Sequence, residues 1–308
     1  MTPAATLGAY AAALAVVFTA AVGLGTAVGP VGTAAARPAS HSTADHSDAA
    51  DAAAAARDES APAELVPGGL AVTTDGHTLE LATDVLAPGT PSTLRFTVTD
   101  PDGEPVTDVT PTHGQDLHLV VVRRDLTGYQ HLHPTRDARG TWTVPLTLAE
   151  PGPYTVYADL RPAGGDESLV LAADLTAPGP YTPVPLPAPV TAVTVDGYEV
   201  RLDGALVAGT SSPLVLTVGR DGEPVTDLEP YLGAYGHLVA LRAGDGAYLH
   251  VHPDGPAAAG PDLAFAAEVP SAATYRLFLE FSHRGVVRTA ELTATATRSG
   301  GAARPHGH

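Results

Sequence analysis

Gly103-Glu104-Pro105-Val106-Thr107-Asp108 returns unchanged as Gly222-Glu223-Pro224-Val225-Thr226-Asp227. Downstream of each copy, His118-Leu119-Val120 returns as His237-Leu238-Val239, and His131-Leu132-His133-Pro134 returns as His250-Val251-His252-Pro253. All three pairs share one separation of 119 residues. Tyr154 to Leu160 then matches Tyr275 to Phe281 at a separation of 121, as a small loop insertion would produce. A six-residue identity with two further matches in register marks a duplicated domain.

The runs around these matches fix the kind of domain. Thr78-Leu79-Glu80-Leu81, Leu94 to Val98, Leu117 to Val122, Trp142 to Leu148 and Tyr154 to Leu160 are short and rich in Val, Leu, Thr and Tyr. Turn pairs such as Asp102-Gly103 and Pro151-Gly152 separate them, which is the pattern of strands joined by tight turns. No stretch after Pro67 carries a helical period. The expected fold is all-β, with two tandem Ig-like β-sandwiches of about seven strands per ~100 residues. The GEPVTD element reads as a turn with a charged tip, and Trp142, Tyr154 and Tyr275 read as core.

The expected boundaries place the two sandwiches at residues 68–178 and 190–298. Between them, residues 179–189 form a Pro-rich spacer, expected to be extended and semi-rigid. Residues 33–67 are Ala, Asp, Ser and Pro with almost no large apolar side chain, the composition of a disordered tether. His41 and His46 lie in it, and a polar tail at 299–308 ends His306-Gly307-His308. Within residues 1–32, Leu7 to Val28 is an uncharged apolar run of 22 residues, near the ~20 that span a bilayer. It reads as an anchor with the bulk of the chain outside, or as a cleaved signal with Ala34-Ala35-Ala36 at the cut. The expected location is the cell membrane with extracytoplasmic domains, or the secreted space if that segment is removed.

Composition removes whole classes of chemistry. The chain has 308 residues, no Cys, and one Met, the first residue. Disulfides, zinc–thiolate and iron–sulfur sites, blue copper and a Cys nucleophile are therefore excluded, as is a thioether cage for Cu(I). The net charge is −18 and every cationic side chain is Arg. That balance repels nucleic acid and anionic lipid surfaces, leaving the N-terminal segment as the membrane contact. No nucleophile elbow, phosphate loop, zincin helix or dinucleotide fingerprint occurs. An enzyme is not expected.

Histidine is what remains. Each repeat has one His in a strand (His118, His237) and a His-x-His pair about a dozen residues later (His131/His133, His250/His252). Residues i and i+2 of a strand share a face. Pro134 and Pro253 bias the preceding residue towards an extended conformation. A hairpin through Gly128, or through Gly244-Asp245-Gly246, would bring each strand His beside its pair, giving one three-nitrogen site per sandwich. Three neutral imidazoles suit Cu²⁺ or Zn²⁺. Candidate additional ligands are His113 in the first copy, where the second has Leu232, and His283 in the second, where the first has Pro162. Asp159 and Glu280 correspond to each other, but strand alternation turns them away from Tyr154 and Tyr275, and no part in the site is expected of them. The leading expectation is therefore extracytoplasmic binding of Cu²⁺ or Zn²⁺, for buffering or delivery. The alternative is a non-catalytic structural or adhesive surface module, meeting a cell-surface protein partner, with its histidines internal to the fold.

Pro230-Tyr231-Leu232-Gly233-Ala234-Tyr235-Gly236-His237-Leu238-Val239, followed by Tyr248-Leu249-His250-Val251-His252-Pro253, resembles a group of uncharacterised actinobacterial proteins. These are exported or membrane-anchored, carry HLHP or HVHP motifs, and are often labelled heavy-metal-associated. The resemblance covers about Leu70 to Thr297, and Gly25 to Val31 is similar to their usual start. It implies Ig-like sandwiches at the cell surface and a link to copper or other metals. The first copy departs from the pattern, reading Pro111-Thr112-His113-Gly114-Gln115-Asp116-Leu117-His118.

Overall fold

The computed structural model describes residues 67–298 apart from 166, 250 and 256. The apolar N-terminal run, the tether with His41 and His46, and the C-terminal tail lie outside the described residues. Within them every regular element is a strand, and no helix is long and apolar enough to cross a membrane.

The first repeat opens with β1 (Thr73–Thr74), β2 (His77–Leu81) and β3 (Ser92–Thr99). The hairpin β4 (His118–Arg123) and β5 (Gln130–Leu132) follows, then β6 (Thr135–Arg136) and β7 (Thr141–Leu146). The long strands β8 (Gly152–Leu160) and β9 (Leu169–Ala177) close it. Two sheets result, ordered β1-β2-β3-β7-β6 and β5-β4-β8-β9. The chain crosses between them three times, which is the sandwich construction expected from the alternating runs. Leu94, Phe96 and Val98 on β3 alternate inward to meet Leu119 and Val121 on β4. Trp142 stacks on Phe96 at 6.2 Å from the directly paired position of β7.

The second repeat uses the same plan. Its strands are β10 (Ala192–Val195), β11 (Tyr198–Gly204), β12 (Val207–Ala208), β13 (Thr210–Arg220) and β14 (Glu223–Pro224). They continue as β15 (Gly236–Arg242), β16 (Tyr248–Leu249), β17 (Val251–Pro253) and β18 (Asp262–Val269). The last are β19 (Thr274–His283), β20 (Val286–Thr295) and β21 (Thr297–Arg298). The main sheets run β10-β11-β13-β18-β17 and β16-β15-β19-β20. A parallel pair, β12 with β21, sits apart.

Two equivalent details tie the copies to the Ig-like class. Tyr154 Oη donates to the Glu150 carbonyl and Tyr275 Oη donates to the Ser271 carbonyl, both at 2.8 Å. Each is a tyrosine corner, a side chain bracing its own strand entry from four residues on. The GEPVTD element is a turn in both copies, with Gly103 at φ +85° and Gly222 at φ +84°. These are left-handed values that side-chain-bearing residues adopt at a cost. Val106 and Val225, each three residues beyond its turn glycine, are buried and anchor the element to the core.

The Pro-rich spacer does not hold the sandwiches apart. All six residues of β4 are buried, and so are six of the seven in β15. A strand is buried on both faces only if a second layer covers its outer side. Here Val120 and Val122 of β4 and Tyr157 of β8 meet Val239 and Leu241 of β15 and Phe278 of β19. The two sandwiches thus stack as four sheets with three apolar layers, the middle one lying between the repeats. The spacer packs along this seam: Leu186 joins the middle layer, and the Val184 amide donates to Asp125 Oδ2 at 2.8 Å.

The seam has approximate two-fold character. Tyr129 stacks on Phe278 at 4.1 Å, and Tyr248 meets Tyr157 at 5.7 Å. Tyr248 is the counterpart of Tyr129, and Phe278 of Tyr157. The same two positions therefore meet twice with the roles of the copies exchanged, as in an isologous interface. Gly246 permits the closest approach. It has φ +77°, its carbonyl accepts from Tyr157 Oη at 2.7 Å, and an added Cβ would lie 2.5 Å from that oxygen.

Phe278→Ala removes a fully buried ring from the middle layer and is expected to cost about 3–5 kcal/mol of stability. Chemical denaturation of the full chain checks this. A loss below about 1 kcal/mol would show that the middle layer contributes little.

Candidate metal centre

The β4–β5 hairpin sets the first histidines. Its register pairs Val120 with His131, and Val120 lies two residues along β4 from His118, on the same face. His133 follows just beyond the end of β5, before the chain crosses to β6 in the other sheet. The three side chains converge. His118 Nδ1 lies 3.0 Å from His131 Nε2 and 3.3 Å from His133 Nε2. One ligand nitrogen from each of the three lies within 4.8 Å of the others. Nitrogens bound to one tetrahedral ion at about 2.0–2.1 Å stand ~3.3 Å apart, so this spacing fits such an ion.

The outer nitrogens are committed to oxygen acceptors. His118 Nε2–H donates to the Thr112 carbonyl at 2.9 Å. His131 Nδ1 lies 2.6 Å from Glu280 Oε2, and the two side chains are only 3% and 7% exposed. Glu280 belongs to β19 of the second repeat. Strand alternation turned it away from Tyr275 as expected, but outward here means into the seam. The expectation that it has no part in the site is corrected for that reason. It lies within the middle of the fold, holding a first-repeat histidine by its far nitrogen.

The second repeat contributes further imidazoles to the same place. His237 of β15 donates its Nε2–H to the Tyr231 carbonyl at 2.8 Å, as His118 does to Thr112. Its ring centre lies 6.2 Å from that of His118 and 5.8 Å from that of His131. His113 occupies a left-handed turn position, φ +51°, and its ring centre is 6.1 Å from His118 and 5.9 Å from His237. A cavity of about 80 Å³ opens beside the cluster, lined by His113, His118, His131, His237, His252 and Asp159 among others. His113 and His252 are exposed at it. The expectation of a separate site in each sandwich is thereby revised: His113, His118, His131 and His133 of the first copy and His237 and His252 of the second gather at one seam.

Two candidates fall elsewhere. His283 is buried at the far end of β19, where Nδ1 bonds the Tyr198 hydroxyl at 2.7 Å and Nε2 meets Asp227 at 3.1 Å. Both nitrogens are engaged inside the second sandwich, so it is no additional ligand of the cluster. His250 lies outside the described residues. The copies also diverge here: β17 begins at Val251 and pairs with β18, so His252 belongs to the opposite sheet from His237.

Burial sets the protonation of the cluster. It holds His118, His131 and His237 down to about 4, and His133, repelled also by its neighbours, to about 3. His113 is lowered by burial and by His252. Burial acts in the opposite sense on the carboxylates, raising Glu280 and Asp159 to about 7 each. The imidazoles are therefore neutral at neutral pH, the form that ligates.

The chain matches the family described as Domain of unknown function (DUF8832) twice, over residues 72–177 and 193–298, and belongs to it. No curated protein matches it in sequence. Among solved structures, it is similar to FdeC, an Escherichia coli adhesin, at 14% identity and a TM-score of 0.24. That match covers 74% of this chain and 66% of the adhesin. The Yersinia pseudotuberculosis adhesin InvE is similar at 16% identity and a TM-score of 0.24, with 73% of this chain and 60% of InvE covered. Domains 5–6 of the S-layer protein SbsC match at 12% identity and a TM-score of 0.22, covering 72% of this chain and 98% of SbsC domains 5–6. The chain thus spans about three fifths to two thirds of the adhesin structures. Scores of this size carry no argument about role.

The lowered His pKa values make a stability prediction for the metal-free protein. Between about pH 4 and 6.5 the unfolded chain protonates four histidines that the folded chain keeps neutral, so acid favours unfolding. The raised carboxylates oppose this, since the folded chain keeps Asp159 and Glu280 protonated over roughly pH 4 to 7. Four groups against two leave a net loss on acidification, on the order of 1–3 kcal/mol per pH unit near pH 5. Denaturation across a pH series checks the sign, and Asp159→Asn should steepen the acid limb.

Proposed function

We propose that this protein is an extracytoplasmic metal-binding module that holds one Zn²⁺ or Cu²⁺ ion between its paired sandwiches, for buffering or delivery. One observation carries the reading: the 3.0 Å separation of His118 Nδ1 and His131 Nε2. His118 has given its single N–H to a carbonyl, so its Nδ1 bears a lone pair. Once Glu280 ionises, which burial delays to about pH 7, His131 gives its own N–H to the carboxylate, and its Nε2 bears a lone pair too. Two lone pairs then face each other in a water-poor seam, which is repulsive unless something positive lies between them. A metal ion answers that need with His133 as third ligand. Glu280 is then the outer partner that fixes the tautomer of His131, as carboxylates do behind ligating histidines.

Below about pH 7 one proton answers the same need: Glu280 stays protonated and donates to His131 Nδ1, and His131 Nε2–H donates to His118 Nδ1 at 3.0 Å. Metal binding then displaces that proton. Export is supported by the apolar run from Leu7 to Val28. Catalysis plays no part in the proposal. The second reading, a structural or adhesive surface module, is favoured by the middle apolar layer, which joins the sandwiches with or without an ion.

Calorimetric titration of the full chain with Zn²⁺ separates the two. We expect one ion per chain and release of about one proton per ion near pH 6.5, read from buffers of different ionisation enthalpy. His131→Ala/His133→Ala should abolish binding. Glu280→Gln should weaken it about 10–100-fold. Undiminished binding in the double variant, or none in the wild type, would leave the structural module.

A further inference from the structure

The triad leaves a fourth position, and the second repeat has an imidazole beside it. We infer that His237 is the fourth ligand, so that an ion held by the first repeat is clasped by the second. This deepens the metal reading above and rests on it. The ring centres of His118, His131 and His133 stand 5.2, 5.1 and 4.7 Å apart. Imidazoles sharing a tetrahedral ion place their ring centres ~5 Å apart. His237, at 5.8 Å from His131 and 6.2 Å from His118, is about 1 Å outside that spacing. The nitrogens of His237 do not lie within 4.8 Å of all three of the triad's, so the clasp requires the two central sheets to draw together.

Its chemistry matches the place. The bond to the Tyr231 carbonyl occupies Nε2–H, so Nδ1 is the nitrogen left with a lone pair, the same tautomer as in His118. His237 is buried, being 9% exposed. It also pairs directly with Glu280 across the β15–β19 ladder. One rung of the second sandwich therefore presents both groups to the first: Glu280 behind His131, and His237 before His118. The competitors are worse placed. His113 and His252 are exposed, and His252 belongs to the opposite sheet.

The consequence is mechanical. An ion with ligands on β4, β5 and β15 ties the two central sheets together, so loading the site stabilises the seam between the repeats. The probe is Cu²⁺ on the full chain, with nitrogen couplings read by electron paramagnetic resonance. The expected wild-type spectrum has four imidazole nitrogens. His237→Gln keeps an N–H for the Tyr231 carbonyl but offers no ring nitrogen. It should show three nitrogens, with affinity down by at least the roughly 10–100-fold that loss of a partner behind a ligand costs. Unchanged coupling and affinity in this variant overturn the clasp while leaving the triad intact. Absence of Cu²⁺ binding to the wild type overturns the site itself. Hydrogen exchange on the wild type supplies a check that needs no variant: Cu²⁺ should protect the amides of β15 and β19 together with those of β4. Protection confined to β4 and β5 counts against the clasp.

Discussion

The structure depends on one constraint, that the outer faces of the β4–β8 and β15–β19 sheets are apolar and hide against each other. A sandwich that buried only its inner faces would leave Val120, Val122, Val239, Leu241 and Phe278 facing water. Stacking the copies removes that surface and creates a region of low polarity between them. Polar groups at its edge are then costly unless satisfied within the protein, and Tyr129 Oη, buried without a partner, is an exception. That requirement explains the carbonyl partners of His118 and His237, and the carboxylate partner of His131. The histidines are organised by the seam rather than by either sandwich alone.

Duplication gives the seam its approximate two-fold character, and divergence breaks it. Tyr129 on Phe278 and Tyr248 on Tyr157 are the same contact made twice. His118 and His237 are counterparts that meet across the layer. Around them the copies have separated: His113 has become Leu232, Pro162 has become His283, and Asp159 has become Glu280. The longer Glu280 side chain reaches His131 of the other copy. A cluster built on a near-symmetry axis can therefore have one side specialised while the shared apolar layer keeps both sides in place.

Much of this was legible in the sequence, for physical reasons that also mark where reading stopped. Alternation in Leu94 to Val98 and Trp142 to Leu148 indicated strands with one face inward, and the 119-residue separation indicated two copies of one sandwich. The convergence of His118, His131 and His133 followed from hairpin geometry. The seam did not follow, although Leu119 to Val122 is a continuous apolar run, the mark of a strand buried on both sides. Glu280 had no expected part because alternation puts it on the face opposite Tyr275. Strand alternation tells which face a residue takes, while what covers that face is a tertiary fact. His283 shows the same limit: its position near the end of β19 was readable, but its engagement by Tyr198 and Asp227 was not.

The energetics of the seam bear on why the histidines are there. Buried imidazoles and carboxylates cost stability relative to apolar side chains of similar volume, even when hydrogen-bonded. The apolar part of the layer already shows what a purely cohesive interface looks like: valines, leucines and packed aromatic rings. At one end of it the chain instead holds His118, His131 and His237 with Glu280, all with protonation equilibria pushed against their ordinary charge. Cohesion alone accounts for the first set and not for the second. A cation seated among the facing nitrogens would turn the unfavourable part of the arrangement into its purpose, because it replaces repulsion between lone pairs with coordination. On that view the apolar layer supplies rigidity, the carbonyls and Glu280 supply orientation, and the cost of burying the cluster is the consequence of keeping ligands aimed before an ion arrives.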